Sequence, residues 1–386
     1  MHVLVVPSWY PTTEAPQDGI YFAEQAQALA QSGLKMGVVF PEHQSLRRLS
    51  LRAVRRKHFQ VQVQIERGVP TVRRLSWNVW WRTRMNLYCR IRDAVTLGHR
   101  YVRTFGRPDL IHAQSARWAG AAAANLSEAL GIPFVLTEHF TGFRRGVIFP
   151  WQWSLIQRGL EQADTVSAVS TSLRQDLREL NQISVSDVHL LPNLVDTNFF
   201  TPPPTAPPAS PFRFLTVAKL QVKKNIDGLL QAFAEAFSAT DAVCLDIIGD
   251  GPKRAYLESL AQRMGLQDQV AFHGSLGRLG VRNALRACHT YVQPSHHETF
   301  GVVIIEALAT GRPVLATACG GPEDIITPET GCLIPVRDLD ALVEGLQQMR
   351  ATASAYAPDV LHADAVRRFG PEPFCRRTRS FYERAL

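Results

Sequence analysis

Nowhere in its 386 residues does the chain string together the roughly 18 apolar positions that a membrane-crossing helix requires. Cysteine is sparse: Cys89, Cys244, Cys288, Cys319, Cys332 and Cys375 are scattered, with neither a CxxC pair nor metal-ligand spacing. Such usage argues for reduced, cytosolic thiols and against a disulfide scaffold or a zinc module. The N-terminus, HVLVVPSWYP, has a short apolar core, no basic lead and no cleavage site, so it reads as a first strand rather than a secretion signal. No GxGxxG follows that strand, which disfavours a dinucleotide-dependent oxidoreductase. Acidic residues are nearly missing from 44–107, where two Asp+Glu face 16 Lys+Arg. A cationic block of that size calls for an anionic partner or surface. No nucleic-acid-binding motif accompanies it, so nucleic acid is not expected as a partner.

What is present is strand–helix alternation, twice over. The chain is long for one domain and comfortable for two, and its 46% apolar and 20% charged composition is that of a globular protein. Strands are predicted at 2–8, 35–40, 61–68, 71–76, 109–115, 132–139, 164–170 and 188–196, with helices at 20–33, 78–105, 118–131 and 171–180. TPPPTAPPASP (201–211) can neither pair in a sheet nor propagate a helix, and reads as a linker. Alternation then restarts at 213. The expectation is an α/β chain of two Rossmann-like, doubly wound domains, 1–200 and 212–370, facing across a cleft, with a C-terminal helix at about 371–386 packing back on the first.

The richest stretch is SHHETFGVVIIEALATGRPVLATACGGPEDI, from Ser295 to Ile325. A strand, the turn Thr299-Phe300-Gly301 and an apolar helix from Val302 to Ala309 put unpartnered backbone amides at a sheet's carboxyl edge, a site for an anion. Glu298 precedes that helix and Glu306 lies on its second turn. Taken singly, each reads as an ordinary charge near a helix start. Their neighbours change that reading. Lys219 ends the first strand of the second domain and Lys223-Lys224 opens its first helix, a basic cradle for phosphate. Gly249-Asp250-Gly251, His273-Gly274 and Gly320-Gly321 close further strands at the same edge. In the first half, Gly19 follows the first strand and His139 ends another.

The array KL-x3-KN-x2-GLL-x-AF (219–233), GDGP-x8-LA (249–261), HETFG-x4-EA-x2-TG-x-PV (297–314) and GG-x-EDI (320–325) resembles the retaining, nucleotide-sugar-dependent glycosyltransferases of family 4, whose architecture is GT-B. The resemblance implies catalytic roles for His139, Lys219, Lys224 and Glu298. It implies donor-binding roles for Gly19, Gly249, Gly274, Thr299, Phe300, Gly301, Val302 and Glu306. Lys219 and Lys224 would neutralise the diphosphate, Glu298 lie beside the donor sugar, Glu306 hold ribose hydroxyls, and His139 reach the reacting carbon. The family usually carries Arg where this chain has Lys219, which keeps the charge and loses the bidentate fork. No metal and no cofactor are implied; a nucleoside-diphosphate-sugar is the co-substrate.

The implied activity is retaining transfer from a UDP- or GDP-sugar to a cell-envelope, lipopolysaccharide or exopolysaccharide acceptor, in the cytoplasm or at the inner face of its membrane. Tryptophan and tyrosine interleaved with arginine in 77–103 suit a membrane interface, so 44–107 is expected to meet an anionic membrane surface carrying a glycan or lipid-linked acceptor. Two alternatives stay open: a sugar-nucleotide epimerase or hydrolase of the same fold, and a nonenzymatic membrane or nucleic-acid binder.

Overall fold

The apolar run His2–Pro7 forms the first strand, β1, buried along its whole length. Continuous burial on both faces is what a central parallel strand demands, and this is why its sequence shows no alternation. The structure, a computed structural model, describes residues 1–45, 59–78, 83–180 and 187–386. These divide into two units, Met1–Pro192 together with Phe374–Leu386, and Asn193–Pro373.

In the first unit, α1 (Ile20–Gln31), β2 (Lys35–Ser45), β3 (Val61–Glu66), β4 (Val69–Asn78), α2 (Arg84–Phe105), β5 (Leu110–Gln114), α3 (Ala121–Leu130), β6 (Phe134–Glu138), α4 (Trp153–Glu161), β7 (Thr165–Ala168), α5 (Thr171–Arg178) and β8 (Val188–Leu190) follow β1. Among the described residues its sheet runs β3-β4-β2-β1-β5-β6-β7-β8. All neighbours are parallel except β3 and β4, an edge hairpin. Strand order reverses between β1 and β5. The alanine-rich segment begins with a π turn, Ala116–Gly120, before α3. Within the described residues α2 starts at Arg84, where the Thr83 hydroxyl accepts the Asn86 amide at 3.4 Å, rather than at 78.

The second unit contains β9 (Phe212–Val217), α6 (Ile226–Ala236), β10 (Val243–Ile248), α7 (Arg254–Arg263), β11 (Val270–Gly274), α8 (Arg278–Ala287), β12 (Thr290–Gln293), α9 (Val302–Ala309), β13 (Val314–Thr317), β14 (Gly331–Ile334), α10 (Leu339–Thr352) and α11 (Pro358–Phe369). Its sheet is wholly parallel in the order β11-β10-β9-β12-β13-β14. That is the doubly wound 3-2-1-4-5-6 order, which opens a crevice at the carboxyl ends of β9 and β12. Phe214, Leu230, Phe233, Leu245, Val292, Leu315 and Leu346 fill the space between sheet and helices.

The division falls after Pro192, upstream of the proline-rich segment. Residues 193–201 are fastened to the second unit: Arg278 pairs with Asp196 at 3.2 Å, Arg286 donates to the Thr201 carbonyl at 2.9 Å, and the Val195 amide donates to the Phe369 carbonyl at 2.9 Å. The last 28 residues are two helices interrupted at Gly370. The second, α12 (Pro371–Glu383), contributes to the first unit from Phe374 onward. There the Tyr382 hydroxyl meets His112 Nδ1 at 2.8 Å, and Arg379 donates to the Ser32 carbonyl.

Candidate functional site

At the crevice of the second unit, two loops are laced together by an amide: His296 N–H donates to the Lys223 carbonyl at 2.8 Å. Lys223 and Lys224 belong to a short 3-10 turn between β9 and α6, and His296 lies in the loop after β12. The lacing brings Lys224 Nζ onto Glu298 Oε2 as an ion pair. Gln293, the last residue of β12, donates to the same oxygen at 2.9 Å, and the Tyr291 hydroxyl in turn donates to Gln293 Oε1. The side chains of Lys224 and Glu298 are 15% and 12% exposed, so the pair is largely withdrawn from water. Burial pushes the Glu298 carboxyl up, but Lys224, then Lys223, hold it below the ordinary glutamate value. Glu298 is therefore an ionised carboxylate at neutral pH. Its main chain bridges to Gly320, with Gly321 N–H donating to the Glu298 carbonyl at 3.0 Å.

Helix α9 opens beside that carboxylate. Gly301 caps it at φ 100°, and no side chain caps the helix in its place. The opening amides of a helix have no partner within it, and their dipoles point positive charge at the crevice. Gly321 lies flat on the Phe300 backbone, which a Cβ would strike. The Gly320 amide is taken by both oxygens of Glu323, at 3.0 and 2.9 Å. The Phe300 ring turns inward, edge-on to Phe369 at 5.9 Å, while Thr299 and Val302 stay half-buried at the crevice. Glu306 is also half-buried. Burial, then Glu298, then Glu306 raise the Tyr291 hydroxyl, which sets both carboxylates near that one ring.

Three further expected residues surround this centre differently. Lys219 follows β9, exposed, without an ion-pair partner among the described residues. Gly249 takes φ 134° because a Cβ there would collide with the Ala218 carbonyl, and its amide is spent on the Gly274 carbonyl at 2.8 Å. Gly274 sits at φ 68°, with an Arg254 guanidinium nitrogen 3.0 Å from where its Cβ would be. Both glycines thus let adjacent loops close up.

Gly19 and His139 belong to the first unit. Gly19 begins α1 at φ 72°, its missing Cβ replaced by the Trp9 and Tyr10 backbone 2.7–2.8 Å away. His139 follows β6; its Nε2 meets Gln114 Oε1 at 2.6 Å and its ring stands edge-on to Phe22 at 4.8 Å. Burial, aided by His112, holds its pKa well below the usual imidazole value, so the ring is neutral. The preceding Glu138 carboxylate is fully enclosed and accepts from Ser115 Oγ (2.9 Å) and from the amides of Ala116, His139 and Phe140 (2.7 Å each). That cage holds Ser115 at φ 78°, a strained left-handed conformation for serine.

Sequence reasoning did not single out Gln293, Tyr291, Gln114 or Ser115. A signal was available for two of them: TYVQ and LIHAQ are buried strands next to the order reversals, and each ends on glutamine. An amide at that position has a cost unless something polar lies past the strand end.

Two family models match the chain: "Glycosyltransferase Family 4" over residues 19–199 and "Glycosyl transferases group 1" over residues 200–353. The chain is 27% identical over 371 residues to the Bacillus subtilis protein TuaC, assigned as a teichuronic acid biosynthesis glycosyltransferase, covering 90% of this chain and 88% of that one. Among solved structures, a sucrose-phosphate synthase from Thermosynechococcus elongatus superposes with a TM-score of 0.80 at 23% identity, over 99% of this chain and 98% of the other. Anabaena HepE, solved with UDP and glucose, superposes with a TM-score of 0.76 at 17% identity, over 99% and 100%.

Proposed function

Since this chain is a GT-B glycosyltransferase of the family-4 type, we propose that it transfers a sugar, with retention, from a UDP- or GDP-sugar to a cell-envelope, lipopolysaccharide or exopolysaccharide acceptor. The observation that carries this is the Lys224–Glu298–Gln293 assembly facing the start of α9 at the β9/β12 crevice.

Departure of a nucleoside diphosphate leaves growing negative charge on phosphate and positive charge on the sugar ring. The amides of Phe300, Gly301 and Val302, together with Lys219 and Lys224, supply positive charge for the first. Ionised Glu298 supplies negative charge for the second, as a positioning and electrostatic residue. Glu306, one turn along α9, takes the ribose hydroxyls. Lysines and a helix terminus then do the charge work that a metal does in other transferases, and no cofactor beyond the donor is needed. The UDP found in the HepE structure supports a uridine donor for this reading.

The first unit adds a surface for a membrane-borne acceptor. Phe59, Val61, Val63 and Ile65, along the edge strand β3 and its approach, are exposed. No helix among the described residues is long and apolar enough to cross a membrane, so contact would be peripheral. Residues 46–58 and 79–82, which hold Trp80, Trp81 and part of the basic block, lie outside the described residues.

The deciding experiment offers UDP-, GDP- and dTDP-sugars without acceptor, in the presence and absence of EDTA, and follows nucleotide release. Slow, EDTA-insensitive hydrolysis of one UDP- or GDP-sugar is expected, and nuclear magnetic resonance should show the donor's anomeric configuration kept in the transfer product. Indifference to every donor would reject the proposal, and recovery of an epimerised sugar would replace it with epimerisation. Co-sedimentation with anionic but not neutral vesicles tests the membrane contact.

A further inference from the structure

Two arginines of the first unit have no acid in contact with them among the described residues. Arg90, on α2, and Arg117, in the π turn after β5, make no hydrogen bond or ion pair with any described residue. Instead Arg90 lies over the Trp118 ring, 6.0 Å from its centroid, and Arg117 over the Phe140 ring at 5.0 Å. They are close enough to feel one another: burial, then the Arg117 charge, pull Arg90 down to about 10. Burial lowers Arg117 too, partly countered by Glu138. Both stay charged at neutral pH.

The nearby acids are committed elsewhere. Glu138 is caged by one hydroxyl and three amides. Asp93, the acid acting on Arg90, is held by His43 at 3.1 Å, Arg74 at 3.1 Å and Ser76 at 3.3 Å. Two like charges desolvated near one another, with no counter-ion in contact among the described residues, are unfavourable until an anion arrives.

The surroundings are aromatic. Trp9, after β1, packs on Phe140, after β6, with ring centroids 6.0 Å apart, and both are half-buried. Trp118 anchors by donating to the Ser8 carbonyl at 3.2 Å. These residues gather at the carboxyl ends of β1, β5 and β6, around the order reversal of the first sheet, and a π turn in such a place commonly marks function. Guanidinium pairs recognise phosphate and carboxylate, and flat rings present faces to sugars.

We infer that Arg90 and Arg117 receive an anionic group, phosphate or carboxylate, borne by the acceptor, while Trp9 and Phe140 face the sugar or carrier attached to it. This rests on the transferase reading above and adds the acceptor's chemical class to it.

The test uses the full chain carrying Lys219→Ala and Lys224→Ala, which removes the phosphate cradle of the second unit, titrated with inorganic phosphate by calorimetry. Saturable binding is expected, weakened roughly tenfold or more by adding Arg90→Gln and Arg117→Gln, and weakened less by the paired Lys substitutions. Binding that is absent, or equal in the Arg and Gln chains, overturns the inference. Should circular dichroism show the double Gln chain unfolded, the single Arg117→Gln chain is read by the same criterion. Competition by glucose 6-phosphate, glucuronate or dihexanoyl phosphatidic acid then names the carrier as sugar phosphate, uronic acid or lipid. Failure of all three to compete rejects an acceptor role. Donor turnover by the unsubstituted enzyme is measured separately. Its absence would reject the transferase reading, while the phosphate titration still reports on the arginines.

Discussion

Glu298 shows how one side chain's ionisation is settled by its neighbours. Alone in this setting, burial would favour its neutral form; Lys224 and Lys223 reverse that. Its folded pKa lies below 4.5, so the pair adds stability at pH values above that figure, lost as pH falls through the lowered value. In Lys224→Ala the principal counter-charge is gone, so the carboxyl rises: the variant loses stability at neutral pH and gives up less of it as the group takes its proton in acid. Urea midpoints measured from pH 7 down to pH 3 should show the variant less stable at neutral pH with its deficit narrowing toward acid, and a deficit that stays constant would count against the pairing. The same variant should lose on the order of 100-fold in donor turnover, the scale of removing one preorganised charge-stabilising group. Glu306→Ala should act chiefly on donor KM. At this scale the sequence was informative about charge type and silent about pairing. Lys223, Lys224 and Glu298 were visible as a cluster, but which lysine reaches the carboxylate depends on the His296–Lys223 lacing between loops far apart in sequence.

Elements were legible where their pattern was long. β1, α6 and the turn–helix from Gly301 follow from apolar runs and glycine. The strand β14, GCLI, is four residues, too short to show a period, and with it the following α10 went unread. The hairpin β3/β4 has a polar-alternating edge strand, and its antiparallel pairing is set by the short turn at Arg67 and Gly68, at φ 51° and 79°. The glycines at the carboxyl edge of the second sheet serve packing as much as binding. Gly321→Ala would drive a Cβ into the Phe300 backbone, so it should cost roughly 2–4 kcal/mol and also displace the start of α9, lowering donor affinity. Gly301→Ala should cost about 1–2 kcal/mol from its left-handed φ alone, with the Ile304 side chain 2.8 Å from the added Cβ. Thermal denaturation of both variants with and without donor checks this. A donor-induced shift in Tm for Gly321→Ala equal to that of the unsubstituted chain would contradict the link between packing and binding.

For the molecule as a whole, the histidines of the first unit set an acid limit. His112 is enclosed between Tyr382 and Thr137, 2.8 Å from each, and burial lowers its pKa to about 3 from 6.5. Between these values the unfolded chain binds a proton that the folded chain refuses. Its contribution is complete above pH 6.5 and declines toward pH 3, at up to about 1.4 kcal/mol per pH unit. His112→Gln should flatten the dependence of folding stability on pH between 6 and 4, and an unchanged slope would show the ring protonates freely. The two-unit plan was readable from alternation restarting after the prolines. The place where the chain changes units was not, because it is decided by the grip of Arg278 and Arg286 on residues 193–201, and no composition signal records that grip.

The first unit is finished by α12, whose Tyr382 and Arg379 seat against His112 and Ser32. A helix that follows the second unit in the chain therefore packs onto the first unit, which precedes it. On the ribosome the first unit must wait, its seat for the closing helix vacant, until the whole second unit has emerged. Arrested chains ending at Pro373 should be cut by protease within the first unit while the second resists, and full release should protect both at once.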